Sequence, residues 1–215
     1  MTMDNGKLWV APLTGVLFVA LLIGSFAIGG EPPAIDESAQ EIVDFYVDND
    51  SEVMFGAALQ TAAAALFVFF GGYLYRVLRD APGASGAAAL VTFAGTVIFA
   101  TGVAIDGTIS FALAETAEDI DPTAVQALAA LWQNDFLPFV LGIQVFLLAL
   151  GVSVVRHGAL PKWLGWIALV LGVIALIPHD VSFAAVVGAG ILILIISVLL
   201  ASRARSGGAS AARAA

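Results

Sequence analysis

The chain has 215 residues, of which 60% are hydrophobic and only 12% charged, with a formal net charge of -9 and a mean hydropathy of +1.00. Soluble domains carry about 25% charged residues, so this composition excludes a disordered chain, a nucleic-acid-binding module and almost any soluble globule. Cysteine is absent, which excludes disulfides, thiolate metal sites and thiol catalysis.

Crossing ~30 Å of hydrocarbon takes ~20 mostly apolar residues. Six segments qualify: 9–29, 53–78, 87–114, 136–155, 163–178 and 181–201. The expected fold is therefore all-α: a polytopic membrane helix bundle forming one domain over residues 1–201. It has six transmembrane helices plus short amphipathic helices in the two outer loops. The first run, at ~20 residues, exceeds the ~7–15 of a signal-peptide core, so an uncleaved first span is expected. The fifth is the shortest. It is joined to the sixth by Pro178, His179 and Asp180, a tight turn in which Pro178 ends one helix and Ser182 can start the next.

The basic residues fall on one side of this topology: Lys7, Arg76, Arg79, Arg156, Lys162, Arg203, Arg205 and Arg213. Lys and Arg in short loops are retained in the cytoplasm, so both termini are expected there. The acids collect on the other side, in two outer loops. In the first, Ile35, Ala39, Ile42, Val43 and Tyr46 form one apolar helical face after Pro32 and Pro33. Asp36 or Ser38 can cap that helix, with Glu41 three residues beyond Ser38. In the second, Asp121 is a good N-cap and Pro122 a good first residue for a helix through Trp132, broken near Asn134. The Gly/Ser/Ala/Arg tail, 202–215, is expected to be disordered and cytoplasmic.

Asp106 is the one acid well inside a predicted span. An ionised side chain at the bilayer centre costs at least ~2.5–3.5 kcal/mol, so it should face protein. Gln60 and Gln144 are the other strongly polar intramembrane side chains. Counting ~1.5 Å per residue from the outer ends places Gln60 at ~12 Å and Asp106 and Gln144 at ~14 Å, a single polar layer. Two uses fit it: a clasp between helices, or a proton or cation site for transport.

No catalytic residues are assigned. His157 and His179 lie on opposite sides, which leaves no haem pair and no histidine metal cluster. No nucleophile elbow and no phosphate-cradling Gly-rich Lys loop occurs. No cofactor and no metal is expected. The expected partners are the lipid bilayer, a small ion or solute, and a second copy or partner subunit, with no nucleic acid. Trp9, Trp163, Trp166 and Lys162 read as interfacial anchors.

The stretch Leu160-Pro161-Lys162-Trp163-Leu164-Gly165-Trp166, with an acidic outer helix ending in Phe45-Tyr46, resembles uncharacterised six-span integral membrane proteins of high-GC, Actinobacteria-type bacteria, a domain of unknown function. The resemblance implies a bacterial cytoplasmic-membrane protein and brings no activity with it. A non-enzymatic multi-pass membrane protein is the leading expectation. A small secondary transporter and an accessory subunit of a membrane complex are the alternatives.

Overall fold

The structure, a computed structural model, describes residues 10–177 and 180–214. Trp9 and the Pro178–His179 turn lie outside the described residues, and so does the Ser182 side chain. The fold is an all-helical polytopic membrane bundle. After a short 3-10 turn, Ala11–Leu13, the helices in chain order are α1 (Thr14–Gly29), α2 (Ala39–Asp48), α3 (Asp50–Arg79) and α4 (Ala87–Thr116). They are followed by α5 (Pro122–Gln133), α6 (Leu137–His157), α7 (Lys162–Ile174) and α8 (Asp180–Ala214).

Local chemistry explains most of the boundaries. The Ser38 hydroxyl accepts from the Glu41 backbone N–H at 3.2 Å and opens α2. Its extended φ/ψ of -63/142° ends the irregular stretch that begins at the two prolines. Ile35 therefore lies outside the helix and is 40% exposed, although its spacing in the sequence had put it on the apolar face. Asn49 closes α2, its side-chain amide donating to the Phe45 carbonyl at 2.8 Å, and α3 starts at the next residue. Helix α3 begins with Asp50 and Glu52 and ends with Arg76 and Arg79, matching its dipole at both ends. Gly158 stops α6 in the left-handed region, φ 71°, with its N–H on the Val154 carbonyl at 2.9 Å.

Helices α1, α3, α4, α6 and α7 pack in that spatial order, and α8 runs against α1 and α7. The basic residues described lie at one end of this array and the outer-loop helices α2 and α5 at the other, here termed the basic and acidic ends. The main apolar core runs along the bundle and centres on Phe67, which stacks on Phe18 with ring centroids 4.3 Å apart and meets Phe99 and Phe146. Glycines bring the backbones together. A Cβ added at Gly142 would sit 2.3 Å from the Phe99 amide nitrogen, and one at Gly95 would sit 2.4 Å from that of Phe146. Such close approach is how helices associate where lipid offers no hydrophobic advantage.

Among the described residues, five helices are long and apolar enough to cross a membrane, and the fifth expected segment forms a shorter apolar helix of 13 residues, Lys162–Ile174. Tightening turns carry it to Ile177, with Leu176 and Ile177 bonding three residues back. The tail expected to be disordered from Ser202 continues α8 as helix to Ala214. Alanine is the strongest helix former, and it recurs through that tail.

Candidate functional site

At the acidic end, α2 and α5 form a cap. Ile42, Val43 and Tyr46 of α2 pack on Val125 and Ala129 of α5 and on Leu113, Ala114 and Ala117 of α4. Asp121 caps α5 through the Thr123 N–H at 2.9 Å, and the Thr123 hydroxyl and backbone together hold the Asp121 carboxyl below its ordinary range. Side-chain amides of α5 pin the segment before α2. Gln126 donates to the carbonyls of Ile35 and Glu37 at 3.0 and 3.1 Å, and Gln133 to that of Pro33 at 3.1 Å.

Polar side chains gather beneath the cap. Gln60 on α3 and Asp106 on α4 are buried, 4% and 5% exposed, and Gln60 Nε2 donates to Asp106 Oδ2 at 2.6 Å. Gly107 makes room for this pair, because a Cβ there would sit 2.9 Å from Gln60 Oε1. Around the pair, three buried polar atoms have no hydrogen-bond partner: Gln60 Oε1, Trp132 Nε1 and Asp135 Oδ2. The Trp132 indole N–H lies beside the Asp106 carboxyl without completing a hydrogen bond, and Asp135 is close enough to interact with it electrostatically. Burial, and then the nearby Asp106, push the Tyr46 phenol up to about 12. Buried polar groups without partners are uncommon in folded proteins, and here they cluster.

A cavity of about 30 Å³ adjoins the cluster. Ser25, Tyr46, Gln60, Ser110 and Trp132 contribute its polar lining, and Phe26 and Phe45 are among its apolar walls. That volume accommodates one or two water molecules.

The third residue of the expected layer is elsewhere. The glycine contacts align residue 95 with 146 and residue 99 with 142, so Gln144 is level with residue 97 of α4. It therefore lies nine residues from Asp106, about 14 Å, and makes no hydrogen bond to either Gln60 or Asp106. The physical reason is that α4 extends past the start of α6 into the cap. Counting inward from each helix's own acidic end thus started from two different planes. The same register sets Asp106 level with Asp135.

Trp163, Trp166 and Lys162 are exposed on the first two turns of α7 at the basic end. Trp132, Asp135 and Tyr46 belong to the site but were not read as members of it. Tyr46 is marked in the sequence only as part of an apolar stripe, and Asp135 as a loop acid. Among the described residues, no group of three His, Cys, Asp or Glu side chains could hold a metal ion.

No curated protein and no solved structure matches the chain. Residues 13–203 match the family described as Domain of unknown function (DUF4386), and the chain, a helical membrane bundle with a polar nest under its cap, belongs to that family.

Proposed function

We propose that this is a non-enzymatic multi-pass protein of a bacterial cytoplasmic membrane, with both termini cytoplasmic and the acidic cap outside. In this reading Gln60 and Asp106 act as a polar clasp that locks α3 to α4 beneath the cap. The 2.6 Å hydrogen bond between two buried side chains from different helices carries the reading. Such bonds hold membrane helices in one register without any turnover. A transport layer built from Asp106, Gln60 and Gln144 is less well supported, because Gln144 lies about 14 Å away along the bundle.

The clasp is tested by thermal unfolding of the purified chain in detergent, with choline as the only added cation. Asp106→Asn retains a hydrogen-bonding partner for Gln60 and should leave the melting temperature nearly unchanged. Asp106→Leu strands the Gln60 amide and should cost about 1–3 kcal/mol. Equal stability of the two variants would refute the clasp.

The orientation is supported by the one-sided distribution of Lys and Arg. With no native cysteine, Asp44→Cys and Asp119→Cys should react with an impermeant thiol reagent applied to intact cells, and Asp80→Cys should not. All three side chains are exposed, so the reverse pattern would invert the topology.

A further inference from the structure

The nest under the cap brings two carboxyl groups together with no basic side chain beside them among the described residues. Asp106 and Asp135 interact there, whereas the described basic residues Arg76, Arg79, Arg156, Lys162, Arg203 and Arg205 lie at the opposite end of the bundle. Arg79 pairs with Asp80 at that same end. An isolated carboxylate in a low-dielectric site needs compensation. The Gln60 amide N–H supplies one hydrogen bond, and the indole N–H of Trp132 stands beside the carboxyl. Neither carries charge.

Independent of charge, one buried oxygen beside the adjoining space is without a partner. Gln60 is 96% buried, lines the cavity and has its carbonyl oxygen unpartnered. Tyr46 and Ser110, which both carry a hydroxyl, are among the residues that line the same cavity. Its volume, about 30 Å³, is that of one or two water molecules. A quaternary amine does not fit. Divalent cations fit poorly too, since calcium takes six to eight oxygens, and magnesium needs a near-ideal octahedron and keeps several waters that a space of this size cannot hold.

We propose that the cavity beneath the cap is a binding site for a monovalent cation of alkali-metal size. The Gln60 carbonyl and the Ser110 and Tyr46 hydroxyls serve as its oxygen ligands, and the Asp106 carboxylate, with Asp135 behind it, supplies the counter-charge. The proposal does not rest on the clasp: the clasp uses Gln60 Nε2, and the cation uses the other atom of the same amide.

The experiment is thermal unfolding of the purified full chain in detergent at alkaline pH and constant ionic strength, replacing choline chloride stepwise with lithium, sodium or potassium chloride. At least one of the three should raise the melting temperature saturably, by about 2–4 °C. Ser110→Ala, which leaves the Gln60–Asp106 bond in place, should shift the half-saturating concentration upward about fivefold or more. Asp106→Asn should abolish the rise. Should that variant fail to fold, the Ser110→Ala shift decides alone. Equal melting temperatures of the wild type in all four salts would overturn the proposal. A rise that both variants retain in full would place the ion on the acidic loops and overturn it as well. A dependence on pH with none on the cation would mean that protons alone balance the carboxyls, and would also defeat it.

Discussion

The long apolar core of the bundle and the smaller one under the cap are built on different principles, and the polar nest lies between them. In the bundle, α4 and α6 meet backbone to backbone through Gly95 and Gly142, and Phe67 fills the centre. In the cap, Ile42 and Val125 belong to one cluster of buried side chains, and Ser38 and Asp121 secure the helix starts. The first pattern suits lipid, where packing and close approach replace the hydrophobic effect. The second suits water, where burying Ile and Val is itself the driving force. A single chain thus changes its packing rules within one helix: α4 contributes Gly95 to one core and Leu113 to the other.

Breaking the bundle side of this contrast should have the largest effect. Gly142→Val drives a side chain into the Phe99 backbone, where no rotamer change can relieve it. The expected result is loss of the cooperative fold in detergent, seen as the absence of a thermal transition by circular dichroism, at a cost of about 3 kcal/mol or more. Gly24→Ala is the control, because a Cβ there meets nothing within 4 Å, and it should melt at or slightly above the parent temperature.

The cap should break separately and less completely. Ile42 is fully buried, and Ile42→Ala should cost about 2–4 kcal/mol of local stability. Amide exchange should accelerate across residues 39–48 and 122–133, while the backbones of α3 and α4 near Phe67 and Phe99 stay protected. Acceleration throughout the protein would show that the two cores unfold as one.

The smallest effect sharpens the boundary between them. Tyr46 has a folded pKa of about 12, against an ordinary value of 10.0. A raised pKa means the folded state holds the proton more tightly. Its contribution is fully present below pH 10 and is lost as pH rises toward 12, by up to about 1.4 kcal/mol per pH unit. Tyr46→Phe should remove that part of the alkaline destabilisation, measured as the difference between the two melting profiles.

Local signals carried the cap into view from sequence. Ser38, Asp121 and Pro122 act within three residues of themselves, so their roles require no knowledge of the partner helices. The polar pair was legible for a different reason: Gln60 and Asp106 are costly in an apolar run and must find company. Gln144 shows the limit of that logic. Its depth depends on how α4 and α6 are staggered, which Gly95, Gly102 and Gly142 determine only once the helices have met. Trp132 and Asp135 were hidden for the same reason, since they reach Asp106 only through that stagger. The length of α7 was partly visible, as the shortest apolar run, but its end at Ile174 came from the structure.

Helix α7 also affects the lipid around it. Its 13 residues rise about 20 Å, against the ~30 Å thickness of an ordinary hydrocarbon layer. Across the bundle, the 30 residues of α3 rise about 45 Å. Acyl chains beside α7 have less helical apolar wall to wet than those beside α3, and local thinning of the bilayer is one way to meet that mismatch, at fractions of a kcal/mol per Å. Trp163 and Trp166, 51% and 58% exposed on its first turns, fix one edge of the thin strip at the headgroups. A bilayer around the protein is therefore expected to be thinner along the α7 flank than along the α3 flank.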